Sequence, residues 1–189
     1  MTKIINRCPW CGTDPLYVNY HDTEWGVPVF DDTTLFEFLI LESFQAGLSW
    51  ITVLRKRENF RKAFDDFDYA KIATYQEDKI QELLQNPGII RNKLKVRAAV
   101  SNAQAFIKVQ KEFGSFSNYI WGFVDGTPVK NTLKSMKDAP ATTPLSDNIS
   151  KDLKKRGFKF MGSTVVYAHM QATGMVNDHL VDCFRHAEV

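Results

Sequence analysis

Glu42, Gln45, Ser49 and Trp50 interrupt a run in which Leu41, Phe44, Leu48, Ile51 and Leu54 recur at helical spacing. Glu42, Gln45 and Ser49 stand at i, i+3 and i+7 and share one face of a helix. An acid, an amide and a hydroxyl on an apolar helix cost energy to bury unless something hydrogen-bonds them. The stretch therefore reads either as a core helix with one wet edge or as one wall of a small-ligand pocket. Gly47 leaves room for a backbone or a flat ligand to approach. The other concentration of reactive side chains lies in residues 1–30: Cys8, Trp10, Cys11, Tyr17, Tyr20, His21, Glu24 and Trp25.

Two halves of a metal site stand at opposite ends of the chain. His179 and Cys183 are at i, i+4, which a helical turn at 177–182 would face the same way. Cys8 and His21 lie near the other end. Two Cys and two His suit a tetrahedral zinc. Such a closed site has no open position for catalysis, so its role would be structural, one ion clipping the ends together. Cys11, the second thiol of Cys8-Pro9-Trp10-Cys11, is an alternative ligand to Cys8 or His21. His169 reads as a satisfied core histidine and His186 as tail.

The third informative stretch is residues 80–97, where an apolar helix stops at Asn86-Pro87-Gly88 and another starts within a few residues. It resembles a helix-hairpin-helix DNA-binding element. Gly88 allows a tight turn, and the free N–H groups opening the second helix can hold a phosphate oxygen. Arg91, Lys93, Lys95 and Arg97 suit neighbouring phosphates. The alternative is an ordinary turn between helices with a solvated basic face. A second basic run, Lys151, Lys154, Lys155, Arg156 and Lys159 around Gly157, is a solvated helix end or a further DNA-facing loop.

The elements that must position these groups read as helices near 15–23, 33–43, 46–53, 57–64, 69–73, 77–84, 92–112, 115–124, 147–156, 162–173 and 177–182. Residues 125–145 are turn-rich loop. Long period-two strand patterns are missing, so the expected class is all-α, in a single domain over 1–189. A length of 189 residues is enough for a sizeable core, and aromatics are abundant (14 Phe, 6 Tyr, 4 Trp). The net charge of +2 announces no global field for nucleic acid, so the local clusters decide. No stretch is long enough for a membrane span, and the first residues lack the apolar core of a secretory signal. Three cysteines, an odd count, favour metal or free thiols over disulfides. A soluble, cytoplasmic, monomeric protein is expected, without membrane partners.

Taken together, Cys8-Pro9-Trp10, Asp14-Pro15-Leu16-Tyr17, the run from Tyr20-His21 to Val27-Pro28, Leu41-Glu42 and the run from Gln45-Ala46-Gly47 to Leu54 resemble the bacterial 3-methyladenine DNA glycosylase I family. Gly88-Ile89-Ile90-Arg91-Asn92, the run Lys154 to Phe160, and Val176-Asn177-Asp178-His179 extend the resemblance over nearly the whole chain. It implies a helix-hairpin-helix glycosylase fold with a structural zinc on Cys8, His21, His179 and Cys183. It also implies a damaged-base pocket. Glu42 and Tyr20 would hydrogen-bond the base, Trp10 and Trp50 would stack on it, and Trp25 would lie close by. Glu42 is then the expected catalytic residue, as reader of the base. Gly88, Ile89, Arg91 and Lys93 would meet DNA. Leu48 would either fill the gap left by the flipped nucleotide or serve as a core leucine. The partners implied are alkylated double-stranded DNA and free 3-methyladenine as product, in the bacterial nucleoid. Hydrolysis without strand cleavage is expected, because the hairpin carries no lysine suited to a Schiff base. Two rival readings are a lesion-binding module without catalysis and a zinc-clamped helical protein that docks a protein partner.

Overall fold

The computed structural model describes residues 5–189. Its centre is α2 (Asp32–Gln45), in which every residue from 35 to 44 is buried. A helix apolar on all sides must be enclosed on all sides. Here α3 (Trp50–Leu54), α7 (Lys93–Phe113), α8 (Phe116–Trp121) and α10 (Ser163–Ala172) pack around it. The remaining helices are α1 (Pro15–Thr23), α4 (Arg57–Ala63), α5 (Tyr69–Ile72), α6 (Glu77–Gln85) and α9 (Pro144–Lys155).

The helix starts are set by side chains. Asp31 accepts from Thr34 N at 2.8 Å and opens α2. Asp32, one residue on, accepts from the N–H groups of Phe116 and Ser117 and so holds the start of α8 against the start of α2. Asp14, Asn92 and Thr143 cap α1, α7 and α9. The core is aromatic: Phe106 stacks on Phe116 at 4.2 Å between ring centroids and meets Phe36 edge-on at 5.0 Å. Each such ring contributes roughly 1.5–3 kcal/mol through area removed from water.

Three expectations need correction. The chain is mostly helical, but it also contains a parallel pair, β1 (Val129–Lys130) against β2 (Val176–Asn177). Residues 177–182 are not helical. Their backbone is spent on the 129–133 segment, through Asn131 N to Asn177 O and Val181 N to Leu133 O, and Asn177 Oδ1 takes the N–H of His179. Within residues 41–54, the joint read at 44–45 falls later. The chain turns at 46–49, where Gly47 has φ +85°, before α3 begins. Leu48 continues the helical spacing in sequence only, and it is exposed. Ser49 is therefore not on the Glu42 face; its hydroxyl meets Thr52 at 2.8 Å.

Among the described residues no helix is long and apolar enough to cross a membrane. The 125–145 loop does more than connect. Met136 and Ala139 from it line the pocket described next.

Candidate base-binding pocket and metal centre

Glu42 faces a cavity of about 200 Å³ lined by Trp10, Tyr17, Tyr20, Trp25, Gln45 and Trp50, with Asp178 and Gln171 from the other end of the chain. An apolar cavity of ~150 Å³ holds a benzene, so this one suits a somewhat larger flat ring. α1 supplies Tyr17 and Tyr20, which at i, i+3 share a face, and α2 supplies Glu42 and Gln45. Trp50 opens α3, and Trp10 sits in a single 3-10 turn started by Pro9. The rings brace one another: Trp10 lies 5.0 Å from Tyr17 and 4.9 Å from Trp25, and Tyr20 lies 5.6 Å from Trp50.

The polar atoms of this pocket are unusual in having no partner. Trp10 Nε1, Tyr20 Oη, Glu42 Oε2 and Trp50 Nε1 are all buried without a hydrogen-bond partner among the described residues. Buried polar groups are ordinarily paired, and each unpaired one costs about 1–3 kcal/mol. Four in one cavity mark a place where a polar ligand supplies the missing bonds. Burial alone pushes the Glu42 carboxyl up to about 8, and the Tyr20 phenol well above its ordinary value, with Glu42 as a further cause. Asp178, by contrast, accepts from Asn131 Nδ2, Tyr167 OH and Gln171 Nε2 at 2.6–2.8 Å. The lining contains two carboxyls and no Lys or Arg, a surround that favours a cation.

All five residues expected to meet the base, Trp10, Tyr20, Trp25, Glu42 and Trp50, thus line one cavity. Sequence reading assigned no role there to Tyr17, Gln171 or Asp178. The Tyr17–Tyr20 spacing was a usable signal; the two residues from beyond 170 carried none.

Behind the pocket, the ligating atoms of Cys8, His21, His179 and Cys183 lie within 4.8 Å of one another, all buried. Cys8 Sγ is 3.6 Å from His179 Nδ1, Cys183 Sγ is 3.4 Å from His21 Nε2, and Cys183 Sγ is 3.6 Å from His179 Nδ1. A tetrahedral ion with bonds of ~2.3 Å to sulfur and ~2.0 Å to nitrogen places such atoms about 3.5 Å apart. The donor set therefore fits a metal. The second imidazole nitrogens are also held: His21 Nδ1 by Asp22 at 2.8 Å, and His179 Nε2 by Trp25 O at 3.0 Å. Burial lowers His179 to about 4, which keeps it in the neutral, ligating form. Cys11 is outside the group, with its Sγ on Cys8 O at 3.1 Å, so geometry selects Cys8 over Cys11. Trp25 joins the two sites, its ring in the pocket and its carbonyl on His179. Gly26, at φ +81°, is needed there, because a Cβ would lie 3.0 Å from His179 Nε2. His169 is a core histidine on Leu35 O, as its sequence context suggested, whereas His186 is engaged through Asn131 O.

The α6–α7 hairpin holds its charges unequally. Arg91 and Lys93 are exposed. Arg97 is paired with Glu77 at 2.7 Å, and Lys95 is buried with its Nζ on Phe44 O and Ala46 O. Only two of the four charges are thus free for a phosphate. The opening N–H groups of α7 at Leu94 and Lys95 are taken by Asn92 Oδ1, so they do not present the anion site read from the sequence. Ile89 is buried, its backbone N lies 3.4 Å from Asn86 O, and Gly88 N donates to Asn86 Oδ1 at 2.8 Å. Gly88 is required by crowding: a Cβ would fall 2.9 Å from Asn86 Oδ1 and 3.2 Å from Asn59. The second basic run is also partly neutralised, with Arg156 on Asp152 and Glu112.

Comparison with known proteins places this arrangement. The profile of the methyladenine glycosylase family matches residues 10–186. DNA-3-methyladenine glycosylase 1 of Escherichia coli is 48% identical over 179 residues, covering 95% of this chain and 96% of that protein. A crystal structure of a 3-methyladenine DNA glycosylase I superposes with a TM-score of 0.92 at 52% identity, over 95% of this chain and 98% of the other. A tyrosine-to-phenylalanine variant of 3-methyladenine DNA glycosylase I, in complex with 3-methyladenine, superposes with a TM-score of 0.92 at 38% identity, over 95% and 97%. Similarity of this depth, over 95% of its length, decides membership: the chain belongs to the methyladenine glycosylase family.

Proposed function

We propose that this protein is a DNA-3-methyladenine glycosylase I, a base-excision repair enzyme acting on alkylated duplex DNA. It takes an N3-methylated adenine out of the stack and hydrolyses its bond to deoxyribose. The observation that carries the reading is the set of four unpartnered buried polar atoms, on Trp10, Tyr20, Glu42 and Trp50, around one ring-sized cavity. Methylation at N3 makes the adenine cationic and its glycosidic bond weak. When the bond between the base and C1′ breaks, its electron pair returns to the ring and neutralises it. Water then adds to C1′ and loses a proton, leaving free 3-methyladenine and an abasic site. The leaving group needs no proton of its own, so recognition of the weakened base is the main task.

Glu42 is the reader. It accepts from the adenine amino group as a carboxylate, and a cationic base entering the cavity favours that form. Tyr20 provides a further hydrogen bond, Trp10 and Trp50 stack on the ring faces, and Trp25 closes the side. Neutral adenine brings no charge into the site and keeps a strong bond, so it is not excised. The cavity lining contains no lysine to form a Schiff base, which agrees with hydrolysis without strand cleavage.

In this reading the whole chain is one glycosylase domain of the helix-hairpin-helix class, monomeric and cytoplasmic, working at the nucleoid. The hairpin meets the DNA backbone at the Gly88–Ile89 turn, through the side chains of Arg91 and Lys93. Leu48, exposed beside the cavity, fills the place of the extruded nucleotide. Cys8, His21, His179 and Cys183 hold one structural zinc. When bound, that zinc supplies a cross-link between the two ends of the chain and takes no part in the reaction.

The test is incubation with methylated duplex DNA and chromatography of the released bases. Free 3-methyladenine should appear with the wild-type chain and be lost with Glu42→Ala. Tight binding of methylated DNA without any released base would favour the lesion-binding module instead.

A further inference from the structure

Lys95 is a buried ammonium with carbonyl oxygens as its acceptors. Its Nζ donates to Phe44 O at 2.9 Å and to Ala46 O at 3.0 Å. These carbonyls end α2, where the helix dipole favours a cation. They also belong to a particular turn. Ala46 has φ −47° and ψ 118°, Gly47 has φ +85°, and Leu48 N donates to Gln45 O at 2.7 Å. That is a type II turn, with glycine at the position that needs positive φ. In a type II turn the carbonyl between the two central residues points to the opposite side from that in a type I turn. Here this carbonyl is Ala46 O, and Lys95 holds it. The residue the turn presents is the exposed Leu48.

Lys95 stands on the first turns of α7, next to the exposed Arg91 and Lys93. One side chain therefore ties the hairpin to the turn that ends the Glu42 helix. For stability alone, an apolar side chain of similar length would avoid the cost of burying a charge that no carboxylate offsets.

We propose that Lys95 is a positioning residue for base extrusion: its ammonium locks the turn at residues 45–48, so that docking of the hairpin on the DNA backbone aims Leu48 into the duplex. This rests on the reading of Leu48 and the hairpin given above. Lys95 touches neither base nor reacting atom. It acts through Leu48, so its loss should impair opening of the duplex while leaving the cavity competent.

The test compares wild type, Lys95→Met, Leu48→Ala and the double variant in two assays. One is single-turnover release of 3-methyladenine from methylated duplex. The other is affinity for free 3-methyladenine, read from quenching of the pocket tryptophans. Lys95→Met should slow duplex excision at least tenfold and leave free-base affinity within twofold. The double variant should be no slower than Leu48→Ala, because both changes remove one device. Gly47→Ala, which strains the same turn at φ +85° without touching the buried lysine, should repeat the Lys95→Met result and takes its place if that variant does not fold. A parallel loss of free-base affinity, or losses that multiply in the double variant, would overturn the role of Lys95. A wild-type duplex rate in Leu48→Ala would overturn the reading of Leu48 and the proposal with it. A wild-type rate in Lys95→Met beside a slow Leu48→Ala would overturn the proposal alone.

Discussion

Glu37 and Glu42 lie five residues apart on α2 and are both buried, yet only Glu37 has cationic partners. Arg57 Nε stands 2.7 Å from Glu37 Oε1, and Arg61 Nε stands 2.9 Å from the same atom. Glu42 Oε2 has no partner. The same residue type on the same helix thus serves two ends, structure at one position and an open valence for a ligand at the other.

Substitution should separate them. Glu37→Gln removes the charge that Arg57 and Arg61 share, while Arg57 keeps Glu24 and Arg61 keeps Glu58, so the cost should be about 1–3 kcal/mol in stability. Glu42→Gln should leave stability unchanged or raise it, while slowing base release at least a hundredfold. Urea unfolding beside single-turnover excision reads both effects. A Glu42→Gln variant that is less stable but fully active would reverse the assignment.

Glu42 also sets a pH signature. Burial raises its carboxyl from 4.5 to about 8, so between those values the folded state holds a proton that the unfolded state has lost. Stability must then fall as pH rises through that window, by at most ~1.4 kcal/mol per pH unit. His169, lowered to about 4, acts oppositely: its contribution is lost as pH falls from 6.5 toward 4. The difference between wild type and Glu42→Gln isolates the glutamate. Their unfolding free energies should converge near pH 5 and diverge toward pH 8, with wild type the weaker; parallel curves would mean that Glu42 ionises freely in the fold.

The Cys/His group should bind one zinc per chain. A structural zinc is worth of order 10 kcal/mol in small domains, so His179→Ala should abolish metal retention and lower Tm by more than 10 °C. Cys11→Ser should keep full stoichiometry, because Cys11 lies outside the ligand set. Elemental analysis after dialysis against a weak chelator checks both. Zinc retained without both His179 and Cys183 would contradict the ligand assignment.

On the α6–α7 hairpin, charge reversal at Arg91 or Lys93 should weaken DNA binding to any sequence and reduce the slope of log K against log salt by about 1 for each phosphate no longer neutralised. Arg97, already paired with Glu77, should matter less. Fluorescence anisotropy across a salt series measures this, and equal effects at Arg97 and Lys93 would remove the hairpin as the docking surface.

Much of this was legible in the sequence, and the failures have physical causes. The apolar periodicity gave most helices to within a few residues, and the structure shows α1, α2 and α7 opened by the side chains of Asp14, Asp31 and Asn92. A break was read at 44–45, but its place at 46–49 was hidden because Leu48 keeps the spacing of Leu41 and Phe44 across a turn that only the positive φ of Gly47 reveals. His179 and Cys183 do converge, but from an extended segment tied to residues 129–133 rather than from a helix. Charge counting placed four cations on the hairpin, whereas two of them are engaged, Lys95 by helix-end carbonyls and Arg97 by Glu77. A sequence shows charges and not their partners. Asp178 and Gln171 reach the pocket only through long-range packing, which no local pattern encodes.

The most direct test is a crystal structure of the protein soaked with free 3-methyladenine. The ring should lie among Trp10, Tyr20 and Trp50, with its amino group on Glu42 and the four stranded polar atoms given partners by the base or by waters it orders. A base bound elsewhere, or a cavity that stays empty at saturating ligand, would contradict the account.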